Sequence, residues 1–131
     1  MIYVLDTCAA FDIAFQGYNS EKYRKLIDKA ERILAPTLYE TEVTNVMIKN
    51  IRSQKIDLPN AKIMLTKILQ FVDIYTDTAE LSIEALHESM RLNHSCYDLF
   101  YLILARRNGA TLLTLDEKLK RLANDCGVDV A

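Results

Sequence analysis

The sequence predicts an α/β protein built on a parallel sheet. Two observations carry this. Short apolar runs recur along the chain, each separated from the next by a stretch of helical periodicity, which is the pattern of strands covered on both faces. The chain also has only three glycines, no internal repeat and no low-complexity tract, so folds that cradle phosphates in a glycine-rich loop are disfavoured. Its 131 residues suit one domain, spanning 1–131, that buries roughly two thirds of the surface its unfolded form exposes.

Ile2 to Leu5 is the first strand, stopped by Asp6-Thr7; a helical pattern then runs from Cys8 to Gln16 and ends at Gly17. A second helix is expected from Glu21 to Ala30, where the charged positions leave Tyr23, Leu26, Ile27 and Ala30 as its inward side. Arg32 to Ala35 is a strand closed by Pro36. Thr37 stands at the N-cap position of a longer helix through about Arg52, whose apolar face centres on Tyr39, Val43, Val46 and Met47. A helix from Ala61 to Phe71, a β-like run from Val72 to Tyr75 and a helix from Ala79 to about Leu92 follow. Ser95 to Leu119 reads as a buried helix, a glycine turn and a short buried strand. The chain continues with a helix from Glu117 to Asp125, a turn at Gly127 and a strand from Val128 to Val130.

Half the residues are hydrophobic and 26% are charged, the profile of a soluble globular protein rather than a disordered one. The net charge of -2 provides no overall basic field, so any contact with nucleic acid needs a local arrangement. The apolar start is broken by Asp6 and Asp12 and has no basic leader, which excludes a signal peptide or membrane span and makes the cytoplasm the expected location. Three widely spaced cysteines without a C-x-x-C pair read as free thiols, and His87 and His94 do not stand at zinc-ligand spacing with them.

The chemistry rests on carboxylates. In an open parallel sheet, ligands bind beyond the carboxyl ends of the strands, and Asp6 and Asp116 each directly follow a short apolar strand. Each also precedes a helix, where Asp is a favoured N-cap worth about 1 kcal/mol. Asp98 fits a capping box with Ser95, yet the apolar run Leu99–Ala105 beside it makes an unpaired charge costly. Glu42 caps nothing: it lies inside its helix, at the margin of the apolar face, and its alternative is a solvated glutamate with its stem along the core edge. Were the four to converge, their mutual repulsion would call for a multivalent cation, and oxygen-only ligands select Mg²⁺ or Mn²⁺. Such an ion, or a pair about 4 Å apart, can activate water and stabilise a leaving oxygen.

Asp6-Thr7 after the first strand, Pro36 followed by Glu42-Val-Thr-Asn45, Tyr97-Asp98 opening an apolar helix, and Thr114-Leu-Asp116 after a strand resemble the PIN-domain nucleases, particularly the VapC-type toxins of prokaryotic toxin-antitoxin pairs. The resemblance spans nearly the whole chain. It places the family's acidic quartet on Asp6, Glu42, Asp98 and Asp116, with hydroxyl and amide companions on Thr7, Asn45 and Thr114. It implies a five-stranded parallel sheet in a three-layer α/β/α sandwich, and Mg²⁺- or Mn²⁺-dependent endonucleolytic cleavage of RNA to a 5′-phosphate and a 3′-hydroxyl. A homodimer and a small antitoxin partner follow from the same likeness. Asp6, Asp98 and Asp116 are then the expected metal ligands, with Glu42 at the metal or orienting the attacking water, and Thr114 holding a ligand in place.

Lys49 and Arg52, on the helix edge that carries Glu42, are the candidate phosphate-binding cations. Tyr97 and Tyr101 are read as core residues rather than base platforms. Two other classes compete with the nuclease. A non-catalytic PIN-like module that binds RNA or protein would differ in binding Mn²⁺ weakly. A phosphoacceptor receiver domain needs an acidic pair after the first strand and an Asp ending a central one; here a lone Asp6 and Tyr75-Thr76 occupy those places.

Overall fold

The computed structural model describes all 131 residues. Helices and strands follow the order β1 (Ile2–Leu5), α1 (Thr7–Ala14), α2 (Ser20–Asp28), β2 (Arg32–Pro36), α3 (Leu38–Arg52), α4 (Leu58–Gln70), β3 (Ile74–Thr76), α5 (Thr78–Leu92), α6 (Cys96–Asn108), β4 (Thr111–Leu113) and α7 (Glu117–Asp125). All strand pairs are parallel, in the order β3-β2-β1-β4. Register is set by Tyr3 opposite Ile33 on one side of β1 and opposite Thr111 on the other. β1 therefore has neighbours on both edges, and β4, the last strand in sequence, lies beside the first. The carboxyl ends of β1 and β4 meet at that reversal of strand order, where an open parallel sheet leaves a crevice.

The sheet has four strands, not five. Val130 forms a single bridge to Leu112, held by the Leu112 amide on the Asp129 carbonyl and the Ala131 amide on the Leu112 carbonyl. The Ala110 amide, which the next rung would need, is spent on the Ala105 carbonyl at the end of α6, so the bridge does not extend into a strand. At β3 the regular ladder begins at Ile74, two residues later than the apolar run suggests, because the Asp73 carboxylate takes the Ile33 amide at 2.8 Å.

Thr37 precedes α3 but does not cap it. Its hydroxyl instead pairs with that of Thr78 at 3.0 Å, and each threonine oxygen accepts an amide from the other helix start: Leu38 N–H on Thr78, Thr78 N–H on Thr37. Two helix N-termini are thus capped across the gap between β2 and β3, which no local sequence rule could show. α4 begins three residues earlier than expected, with Asp57 capping the Asn60 amide and Pro59 in the first turn, where its missing N–H costs nothing.

α6 explains the apolar stretch of the sequence. Leu99 to Ala105 are all buried, seven in succession, because the helix crosses β1, β2 and β4 and is covered outside by α5. Gly109, at φ +57, ends it in the left-handed conformation that glycine adopts without steric cost. The strands and α6 share one hydrophobic cluster with Tyr39, Val43, Leu81 and Leu119. No helix is long and apolar enough to cross a membrane, and all three cysteines are free.

Thr78→Ala removes the acceptor for the Leu38 amide and the partner of Thr37 together. It is expected to cost about 1 kcal/mol, a drop of about 3 °C in Tm, measurable by thermal scanning.

Candidate active site

Asp6 leaves β1 in extended conformation and turns the chain into α1. Its Oδ1 accepts the Thr7 amide at 2.8 Å, and its Oδ2 accepts the Thr114 hydroxyl at 2.7 Å and the Cys8 thiol at 3.3 Å. The residue is only 8% exposed. Burial pushes its carboxyl above the usual range, the hydrogen bonds from Thr114, Cys8 and Thr7 oppose that, and the charge of Asp98 adds to it.

Thr114, at the end of β4, is fully buried behind Asp6. Its oxygen also accepts the Asp116 amide at 3.1 Å, so one hydroxyl ties the Asp6 carboxylate to the Asp116 backbone. The same turn is braced by the Leu115 amide on Cys8 Sγ and by the Tyr23 hydroxyl, donated from α2 to the Thr114 carbonyl at 3.1 Å. Desolvation and the neighbouring Asp6 charge raise the Cys8 thiol to about 12, keeping it protonated and available as a donor. Asp116 caps α7 through Oδ1, which receives the Lys118 and Leu119 amides at 2.9 and 3.0 Å, and its Oδ2 has no protein partner.

Glu42 comes to the same place from α3. Its Oε1 accepts the Tyr101 hydroxyl at 2.5 Å and the Thr7 hydroxyl at 3.3 Å, leaving Oε2 unpartnered. Burial raises its carboxyl; the Tyr101 bond lowers it, and the charges of Asp6 and Asp98 raise it further. Tyr101 is buried in α6, and burial next to the Glu42 charge pushes its phenol far above the ordinary range, so it serves as a donor. Asp98 does not close a capping box. Ser95 caps the Tyr97 amide, while Asp98 Oδ2 lies 2.9 Å from Nε2 of the buried His94.

All four carboxylates, with Thr7 and Cys8, line one cleft of about 480 Å³ at the carboxyl ends of β1 and β4. No Lys or Arg forms an ion pair with any of them. Glu42, Asp98 and Asp116 each keep one oxygen free of protein partners. No three of these groups stand close enough to make a ready-made metal cage. An open set of carboxylate oxygens uncompensated by cations nevertheless fits a hard divalent ion that keeps several of its own waters, as Mg²⁺ does.

Of the companions, Thr7 lines the cleft and Thr114 stands behind it, whereas Asn45 lines a neighbouring groove that shares Glu42. Lys49 and Arg52 are exposed further along α3 and line neither. Tyr101 is in the core as expected, but Tyr97 is not: it is 60% exposed, because its position on α6 points away from the sheet. Sequence reasoning gave no role to Tyr101, His94 or Cys8. For two of them the available signal was spacing, His94 standing four residues before Asp98 and Cys8 two after Asp6, whereas Tyr101 meets Glu42 from 59 residues away.

A family model for the PIN domain matches residues 3–125. The chain belongs to the PIN-domain family. Among solved structures it is similar to PAE2754 from Pyrobaculum aerophilum, with 24% identity, TM-score 0.76, and 99% of this chain and 92% of that one covered. It is also similar to VapBC2 from Rickettsia felis, solved bound to a DNA fragment from its promoter, with 20% identity, TM-score 0.69, and coverage of 100% and 98%. At these identities the likeness establishes the fold. No curated protein matches in sequence.

The buried Asp6 gives this PIN domain a pH signature. Its carboxyl titrates higher folded than unfolded, so between the two values the native state holds more protons, and stability falls as pH rises through that interval. Asp6→Asn removes the charge but keeps an acceptor oxygen. Without divalent metal, its Tm is expected to exceed wild type by about 3 °C near neutral pH, and the gap to close as pH falls through the carboxylate range, in thermal scans run with chelator.

Proposed function

We propose that this PIN domain is a Mg²⁺- or Mn²⁺-dependent endoribonuclease, the toxin of a toxin-antitoxin pair, acting as one catalytic unit over residues 1–131. The observation that carries it is the cleft itself: four carboxylates, with those of Asp6 and Glu42 raised by burial, three unpartnered oxygens and no Lys or Arg among them. Charge of this density at a sheet reversal is costly unless it meets a cation, and a divalent cation would in turn meet a phosphate. Asp6, Asp98, Asp116 and Glu42 would hold it. When bound, the ion supplies neutralisation of the phosphodiester's charge and a lowered pKa for water.

The rest belongs to the chain's own side chains. The hydroxyls of Tyr101 and Thr7 fix Oε1 of Glu42, so its remaining oxygen can accept a proton from water attacking phosphorus. Burial, which raises that carboxyl, also makes it a better base near neutral pH. As the water oxygen bonds phosphorus the P–O bond to the 3′-oxygen breaks, and that oxygen takes up a proton from solvent, leaving a 3′-hydroxyl and a 5′-phosphate. Thr114 and Cys8 hold Asp6 in register, and His94 holds Asp98. The VapBC2 neighbour supports a small antitoxin as the protein partner. A toxin acting on cellular RNA would work in the cytoplasm.

Glu42→Gln and Asp98→Asn are expected to lose about 10²–10⁴-fold in RNA cleavage with Mn²⁺ while keeping their circular dichroism. Removal of the metal with chelator should abolish wild-type cleavage, and Mn²⁺ should restore it. Folded variants that cut RNA as fast as wild type would overturn the assignment; weak Mn²⁺ binding by wild type would favour a non-catalytic module.

We further propose a homodimer. Ile83, Leu86 and Met90 form an exposed apolar stripe on α5, with Met90 78% exposed, at the three- and four-residue spacing of a packing helix. Leu86→Asp is expected to shift the sedimenting species from dimer to monomer without loss of helix content.

A further inference from the structure

A second groove, of about 690 Å³, adjoins the cleft and shares Glu42 with it. Leu38, Ile48 and Tyr97 give it apolar walls, and Glu40 and Asn45 stand among them. Its composition is unlike a phosphate site, since no Lys or Arg lines it. It is also unlike a piece of core that happens to be open. Tyr97 directly precedes Asp98 and leaves most of a large ring in water, next to Ile48, itself 39% exposed. Glu40 is paired with no cation and is free to accept.

A flat, uncharged, hydrogen-bonding object suits such walls. In single-stranded RNA the bases have both properties: each has a face for stacking on an aromatic ring, worth a substantial share of binding, and an edge that can be read. A carboxylate, which only accepts, favours bases that donate from an exocyclic amine, as cytosine does and uracil does not, and the Asn45 amide can turn its oxygen to the same amine. Because Glu42 lines both hollows, a strand whose phosphate lies in the cleft would bring a nearby base to the groove.

We propose that this groove is a nucleobase subsite, in which Tyr97 stacks an unpaired RNA base while Glu40 and Asn45 select one bearing an exocyclic amine. It rests on the endoribonuclease function above and deepens it, by naming the residues that choose where the strand is cut.

The test measures binding of fluorescent oligocytidine and oligouridine to the full chain, with Ca²⁺ replacing Mg²⁺ to suppress hydrolysis, alongside cleavage of both in Mn²⁺ and sedimentation of each variant. Tyr97→Ala is expected to weaken oligocytidine binding about tenfold and raise KM more than it lowers kcat, and Tyr97→Phe to recover most of the loss. Glu40→Ala should reduce a preference for oligocytidine over oligouridine of about fivefold towards unity. If wild type binds and cuts RNA but Tyr97→Ala does so equally well, the subsite is wrong and the nuclease stands. If wild type neither binds nor cuts either oligonucleotide, both fail. A Tyr97→Ala protein with unaltered RNA binding and an altered sedimentation coefficient would make this face a protein contact and overturn the subsite.

Discussion

The site is built around the carboxylate of Asp6, held at the end of a strand with neighbours on both edges and almost wholly withdrawn from water. A charge there is expensive, and the chain supplies it with every neutral donor within reach: the Thr7 amide, the Thr114 hydroxyl and the Cys8 thiol. It gives it no cation. Each of those donors is anchored elsewhere, so the demand of one carboxylate dictates the positions of its neighbours. Thr114 carries it to Asp116 and, through its carbonyl, to Tyr23 on α2; Thr7 carries it to Glu42 and Tyr101. A single desolvated charge thereby links α1, α2, α3, α6 and the β4–α7 turn.

The other three acids divide their oxygens between two tasks. Asp116 caps α7, Asp98 takes the His94 imidazole and Glu42 takes the Tyr101 hydroxyl, in each case through one oxygen. The second oxygen of each has no partner in the chain. Capping and site membership are therefore not rival explanations of Asp116: a cap fixes the side-chain rotamer, and a fixed rotamer keeps the free oxygen in place at no further entropic cost. The same holds for Glu42, where two hydroxyl donors immobilise a side chain that would otherwise be free to rotate at a helix margin.

Much of this was legible in the sequence because it depends on local order. Strand–Asp–helix junctions at Asp6 and Asp116 announce themselves, as does a helix apolar on every side at Leu99–Ala105, and Glu42 betrays itself by capping nothing. What was hidden is whatever depends on two distant segments. The reciprocal capping by Thr37 and Thr78 joins residues 41 apart, and the brace of Tyr101 on Glu42 spans 59. The missing fifth strand turns on one amide, Ala110, being claimed by the end of α6 before it could pair with the chain after α7. Tyr97 misled for a different reason: the apolar run Leu99–Ala105 begins two residues after it, but a helix covered on most sides still has an open first turn, and Tyr97 lies in it.

The electrostatics bear on how an acidic protein would take hold of a polyanion. The net charge is -2, and no Lys or Arg lines either the cleft or its neighbouring groove to meet a phosphate there. On the proposed mechanism the attraction is supplied by the cation that the carboxylates hold. Metal and RNA affinity are then thermodynamically linked, each tightening the other by the same factor. The groove beside Glu42 escapes that linkage, since stacking and hydrogen bonding to a neutral base need no counter-charge. A site divided in this way would separate the two requirements of a selective nuclease: strength of binding set by the ion, and choice of position set by the aromatic and hydrogen-bond-accepting wall next to it.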